Sequence, residues 1–496
     1  MDKNRKYKTF INSEDYKNHP RKLIDKKNKA DNTIWLKSLE DVFDFLNITD
    51  GMCLSFHHHL RNGDYVLNDV CKVIKKRNIK NLSIAASSIF PNNKPLVELI
   101  ENGNVTNIYT NYLNGPVSDA IVSGKLKGEL IMNTHGGRAR SIESGEIKID
   151  VAFLATPTVD KCANGTGAMG PVACGSLGYA IPDSLYANKV VLVTDNVIEK
   201  LDQYDIDGKY VDIVCQVQAI GDAKGIVSGT TKITKDPTGL KIARDTVKLL
   251  DEIGLIKDGF SMQTGAGGTS LAVAYYVRKL MEEKNIKGSF ATGGITSYFV
   301  KMLEDGLLKD IYDVQCFDLD AVRSYKENSN HHGMSASMYA NPYDENVIVN
   351  KLDFVILGAT EIDLDFNVNV TTDSHGNVIG GSGGHSDTAN GANVTVIVTN
   401  LVKSRMPIIK EHVTTITTPG SDIDVLVCER GIAINPRRKD LLEKVKGSKL
   451  NICTISELLE IAHHYTGKPK PSHHTDQIVG EVMYRDGTII DHIYKK

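Results

Sequence analysis

The 496-residue chain contains no apolar run near the ~18 residues that a membrane-spanning helix needs. Its first 33 residues hold ten Lys or Arg against five Asp or Glu, yet no apolar stretch follows them as a secretory leader would require. Residues 1–34 therefore read as a solvated basic arm, one that reaches over a neighbouring subunit of a homo-oligomer. An excess of one charge is missing too. The net charge of −3 argues against a nucleic-acid footprint or a basic membrane-binding face. The eight cysteines, at 53, 71, 162, 174, 215, 316, 428 and 453, form no C-x-x-C pair. Scattered thiols in a chain long enough to build its own core point to the reducing cytoplasm.

Several catalytic signatures are absent as well. There is no Gly-Lys-Ser or Gly-Lys-Thr, and Gly265-Ala-Gly-Gly-Thr-Ser270 lacks the close of a dinucleotide fingerprint. Nucleotide triphosphate and nicotinamide chemistry are disfavoured on that ground. No G-x-S-x-G elbow supports a serine hydrolase. The histidines come in runs (His57–His59, His331-His332, His463-His464, His473-His474), but none has zincin or zinc-finger spacing, so no metal is expected. If the first run is extended, only His57 and His59 share a face, which makes His57 a candidate substrate contact.

What the chain does contain is a repeat. Lys148–Asp160 lies over Lys351–Asp363 without a gap, so that Lys148, Asp150, Leu154, Asp160 and Asn164 fall on Lys351, Asp353, Leu357, Asp363 and Asn367. Upstream, Ile84–Ile89 matches Phe290–Ile295 and Cys53–His59 matches Phe260–Gly265; downstream, Val190–Asp195 matches Thr395–Asn400. Short Val- and Ile-rich runs read as buried strands. Between them Val273, Val277, Leu280 and Met281 stripe a helix over about Thr269–Asn285. Strands alternating with helices predict two tandem, related, open α/β domains with mainly parallel sheets, over 35–228 and 229–496. The tail, with helices at Lys439–Lys446 and Ile455–His464 and a hairpin around Asp486-Gly487, is expected to fold back over the second domain.

Ligands of such sheets sit on the loops after the strands. Glycine clusters fall there at Asn164–Gly170, Gly265–Gly268 and Gly380–Gly384. One reading is tight turns and close packing; the other is backbone N–H groups around a cleft, forming the oxyanion hole that acyl transfer needs. On the second reading Gly383 and Gly384 are catalytic donors, while Gly265, Ala266, Gly267, Gly268, Gly380 and Gly381 receive the thioester-bearing arm.

The Gly265–Gly268 loop, Gly358–Asp363 with Asn367-Val-Asn369, the Gly381–His385 loop and Val425–Ala433 resemble the coenzyme A transferases. Leu54–Gly63, Asn133–Arg140, Gly165–Pro171 and Ile379–Thr388 are similar, within that superfamily, to the citrate lyase alpha chains, a resemblance that runs from about Trp35 to the end. It implies exchange of acetyl for citryl on an acyl-carrier thioester, with acetate released. The cofactor would be a coenzyme A-like prosthetic group on a small gamma (carrier) subunit, and a beta subunit would cleave the citryl thioester. Relatives that use a glutamate nucleophile carry it in a Gly-Ile-x-Ser/Thr-Glu segment. Gly294-Ile-Thr-Ser-Tyr298 has tyrosine there, which favours direct transfer through a mixed anhydride.

Citrate's three carboxylates call for arginine. Arg138 and Arg140 are the leading candidates, with His385 as a further donor and surface or structural pairing as the alternative for each. Glu361, which has no acidic counterpart in the first half, and Glu429, at a strand end, are candidate catalytic carboxylates. Two other functions stay open: a transferase or hydrolase of free coenzyme A thioesters, and a ligand-sensing domain without catalysis.

Overall fold

Runs such as Val-Ala-Phe-Leu-Ala and Phe-Val-Ile-Leu are apolar at every position, so they are stable only with both faces covered. Strands Val151–Ala155 and Phe354–Leu357 are indeed buried throughout and lie inside parallel sheets. The computed structural model describes residues 24–30, 32–227, 232–469 and 475–496. Most of the basic arm, the expected boundary at 228–231 and His473-His474 lie outside the described residues.

Among the described residues the two large sheets have ten and nine strands, beside three small sheets of two or three strands. In the first, the central order is Leu130–Met132, Val105–Thr110, Leu82–Ala86, Cys53–Phe56, Val151–Ala155, Lys189–Thr194, Ile213–Gln216. The second repeats it with His331–Gly333, Leu308–Cys316, Gly288–Ile295, Ser261–Thr264, Phe354–Leu357, Val394–Val398, Val425–Cys428. The matched residues do matched work. Asp150 accepts the N–H of Cys53 at 2.8 Å, and Asp353 that of Ser261 at 2.9 Å. Asp160 binds Asn164 through backbone and side chain, and Asp363 binds Asn367 the same way. The duplication is therefore a repeat of fold as well as of letters.

Two additions break the symmetry. Helix Ile455–Thr466, opened by a Thr454–Glu457 capping box, packs on the second half. The hairpin of Ile478–Met483 and Ile489–Tyr494 does not. It pairs parallel with Leu130–Met132 and extends the first sheet, which corrects the expectation that the whole tail covers the second domain. Its turn residue Arg485 is buried, donating to Asn390 at 2.6 Å and to the Ala340 carbonyl at 2.9 Å. The end of the chain thus ties the halves together. Among the described residues no helix is long and apolar enough to cross a membrane.

Candidate active site

The carboxyl ends of the strands of both halves converge on one cleft of about 500 Å³. Its first-half wall comes from residues just past strand ends: His58, Ser88, Tyr112 and His135. The second half supplies Gly265–Gly267, Gln315, Phe317, Gly358–Thr360 and the Gly380–His385 loop. Of the three glycine clusters, the last two reach the cleft. The Asn164–Gly170 cluster does not; a Cβ on Gly167 would stand 1.9 Å from the Gly175 carbonyl, so that cluster serves packing.

The two loops that reach the cleft use glycine differently. A Cβ on Gly381 would meet the Asn111 carbonyl at 2.4 Å, and one on Gly384 the Tyr339 hydroxyl at 2.6 Å. Here glycine lets the loop close against its neighbours, and residue 383 pairs with Thr134 of the first half. A Cβ on Gly267 would meet nothing within 4 Å. That backbone is open to a ligand, at the start of helix Gly268–Lys284 where N–H groups and the helix dipole favour an anion. Gly268 itself is packed against Lys232 and Thr234 and lies behind the cleft lining.

The expected oxyanion pair divides. The N–H of Gly383 already donates to the Asn111 carbonyl at 3.1 Å, which removes it as a donor to substrate. No acceptor among the described residues takes the N–H of Gly384. His385 lines the cleft, but both ring nitrogens are engaged: Nε2 donates to the Gly358 carbonyl at 3.0 Å, and Nδ1 accepts from Thr418 at 2.7 Å. It positions the Gly358–Thr360 loop and has no free donor for a carboxylate.

The charged candidates sit elsewhere. Arg138 is buried in a fork on Asp183 (2.9 and 3.0 Å) and also donates to Ser55 and the Ala85 carbonyl. Arg140 is buried against Glu146 and Ser141, beside the Tyr343 ring. Glu361 accepts from Asn369, Ser374 and Thr414 and pairs with Lys410 at 3.1 Å. Burial pushes its carboxyl up, but those partners outweigh burial and leave it below the ordinary range. Glu429 accepts the Leu401 N–H at 2.9 Å. None of the four lines the cleft; each side chain is engaged by a protein partner, although Nε of Arg138 and of Arg140 is left without one among the described residues. His57 also faces away, because the strand ends at Phe56 and the chain turns there. Its Nδ1 lies against that of His59, and His58 takes the cleft position instead.

The residue that the sequence reading missed is Arg61. It lines the cleft with its guanidinium between the rings of Phe90 (5.5 Å) and Phe317 (4.9 Å). Its Nε and Nη1 are buried with no acceptor among the described residues, and burial pushes the group below its ordinary pKa. The backbone holds φ at 51°, a left-handed conformation rare for arginine. The only hint of it was its place inside the Leu54–Gly63 motif. Around it the imidazoles stay neutral. Burial, reinforced by Arg138, pushes His135 down to about 3, and burial with nearby cations pushes His58 well down. Arg61 is then the one cation of the described lining, and no aspartate or glutamate is part of it.

Among the described residues one group with metal-ligand chemistry, Asp313, Cys316 and His331, is buried. Its atoms satisfy one another: Asp313 accepts from Cys316 at 2.9 Å and from His331 at 3.2 Å, while Ser324 takes the other imidazole nitrogen.

The family model "Citrate lyase, alpha subunit" matches residues 32–496. The citrate lyase alpha chain of Haemophilus influenzae is 45% identical, with 92% of each chain covered. A crystal structure described as the alpha subunit of citrate lyase from Streptococcus mutans in complex with citrate superposes with a TM-score of 0.93 at 42% identity, covering 96% of this chain and 95% of that one. A Pseudomonas malonate decarboxylase hetero-tetramer in complex with malonate shares the fold at a TM-score of 0.62, with 14% identity and 83% and 82% of the two chains covered. The match spans both halves and the crossing hairpin, and the chain belongs to the citrate lyase alpha-subunit family.

Proposed function

We propose that this cleft exchanges acetyl for citryl on an acyl-carrier thioester, releasing acetate, as the transferase of a cytoplasmic citrate lyase assembly. The observation that carries the reading is the pairing of one acid-free guanidinium, Arg61, with a lining that contains no carboxylate. A lone buried cation without a protein partner is matched to a substrate carboxylate. The absence of aspartate and glutamate among the described lining residues leaves no acid to carry the acyl group. Tyr298, in the segment where relatives hold their nucleophile, is not part of the lining either.

Citrate is then held by Arg61 through one carboxylate while another attacks the acetyl thioester. Its oxygen adds to the acetyl carbon, the C–S bond breaks with its electron pair on sulfur, and an acetic–citric anhydride results. Attack of that thiolate on the citryl carbonyl releases acetate and leaves the citryl thioester. The chain's part is proximity, neutral hydrogen-bond donors and exclusion of water from the anhydride.

The thioester comes from the coenzyme A-like arm of a separate gamma carrier subunit. Gly265, Ala266 and Gly267 line the cleft at a helix start, with Gly267 open, and fit such an arm; Gly380 and Gly381 line the cleft too but are packed against the Val370 and Asn111 carbonyls, so they shape its wall. A beta subunit would consume the citryl carrier, and self-association of this chain belongs to the same proposal.

The test compares exchange of citrate with acetyl-carrier, with acetyl-coenzyme A, and with water alone. Fast exchange with acetyl-carrier and no inactivation by borohydride during turnover is the expected result. Preferred hydrolysis, or a borohydride-reduced glutamate, overturns it.

A further inference from the structure

His135 stands in the Asn133–Arg140 motif and lines the cleft, and its Nε2 has no hydrogen-bond partner among the described residues. Its backbone N–H donates to the Gly383 carbonyl at 2.8 Å, so the first and second halves meet at this residue. A Cβ on Gly383 would lie 3.2 Å from His135 Nε2. Glycine there, at a φ of 49°, keeps the space in front of that nitrogen clear.

The other ring nitrogen fixes the proton. Asn111 Nδ2 lies 2.9 Å from His135 Nδ1. With Nδ2 on that side the amide can only donate, so Nδ1 accepts and the imidazole proton resides on Nε2, while Asn111 Oδ1 is left without a partner among the described residues. Packing locks the ring itself: Tyr179 lies at 4.4 Å between centroids and His58 at 6.0 Å. Burial and the neighbouring Arg138 keep the ring uncharged throughout the physiological range.

We propose that His135 is a catalytic residue whose Nε2–H donates a hydrogen bond to the carbonyl oxygen of the thioester under attack. A neutral donor gains little from a ground-state carbonyl and much more once that oxygen carries negative charge, which is what a rate-enhancing contact requires. No proton is transferred. As the citrate oxygen adds, the π-electron pair moves onto the carbonyl oxygen facing Nε2–H. When the C–S bond breaks, that pair returns and the sulfur leaves as thiolate. Arg61 is suited to a carboxylate that is charged throughout, His135 to an oxygen that is charged only in passage. The inference rests on the proposed exchange reaction.

Two measurements on the full chain test it, the kinetic one with acetyl-carrier and citrate. His135→Phe keeps the ring packing and removes the donor; a fall in kcat of roughly 10²-fold, with the KM for citrate within about threefold of the parent, is expected. His135→Gln restores an N–H and should recover part of the rate. An unchanged kcat for His135→Phe, or a raised KM at constant kcat, overturns the proposal. The second measurement is the 15N spectrum of histidine-labelled protein, with the His135 signal identified by its loss in the variant. The proton belongs on Nε2; a proton on Nδ1, as a reversed Asn111 amide would impose, overturns it independently. If parent enzyme shows no exchange at all, the proposed reaction fails. If the parent exchanges, Arg61→Gln raises the KM for citrate and His135→Phe is inert, only the role of His135 fails.

Discussion

Replacing Arg61 by glutamine removes the cation and leaves a polar group of similar reach. The Arg61 guanidinium lines the cleft and has no acceptor among the described residues, so a carboxylate that meets it makes charge-assisted bonds in a dry site. Truncating one partner of such a buried pair costs about 2–5 kcal/mol. Taking about 3–4 kcal/mol, kcat/KM for citrate should fall roughly 10²–10³-fold. Arg61→Lys keeps a charge but loses the fork and the stacking, and should recover only part of that. The two stability effects oppose each other: lost stacking on Phe90 and Phe317 costs about 0.5–2 kcal/mol, and removing a buried donor without an acceptor relieves about 1–3 kcal/mol, so the fold should not be lost. Citrate at about 100 Kd stabilises the parent by about 2.7 kcal/mol; the variant should lose most of that gain at the same concentration. Steady-state exchange kinetics and thermal unfolding with and without citrate read all of this. An unchanged kcat/KM for citrate, or a loss of activity that merely follows a collapse in unfolding midpoint, refutes the reasoning.

Alanine at Gly267 and Gly381 should separate ligand-facing from packing glycine. Gly267→Ala meets open space and should keep its unfolding midpoint while weakening carrier-thioester binding. Gly381→Ala drives a Cβ to 2.4 Å from the Asn111 carbonyl and should destabilise by about 1–3 kcal/mol, measured by denaturant unfolding. A second contrast involves pH. Asp387 accepts from Thr134 and Gly136 across the seam, and burial pushes its carboxyl from 3.8 up to about 6. With the folded pKa above the unfolded one, the native state holds the extra proton between about pH 4 and 6. This group's contribution is thus fully present below that window and lost as pH rises through it. Asp387→Asn should flatten that part of the stability curve; a parent-like slope in the variant would sink the assignment.

The repeat was legible because strand runs, and the aspartates that tie strand to strand, recur at matched positions in both halves. The destination of the terminal hairpin was not legible, since alternation around Asp486-Gly487 predicts a hairpin without saying which sheet edge receives it. Glycine-rich loops were readable as loops, but whether a glycine faces ligand or a packed carbonyl depends on neighbours such as Asn111 and Val370, far away in sequence. The arginines show the same limit. For Arg138 the sequence leaves substrate contact and structural pairing both open, and the pairing that decides it is with Asp183, 45 residues on. Arg61 is distinguished by having no acidic partner among the described residues, a property that no local pattern can display. At His57–His59 the two-residue strand period does not hold, because the strand stops at Phe56 and His58 takes the cleft position.

The most direct test of the account is a single turnover of the parent enzyme with citrate whose carboxylates carry 18O and unlabelled acetyl-carrier in unlabelled water. Direct attack by citrate predicts that the acetate released in that first turnover holds one 18O taken from citrate. Unlabelled acetate, with 18O left on an enzyme carboxylate after the first turnover, would contradict it.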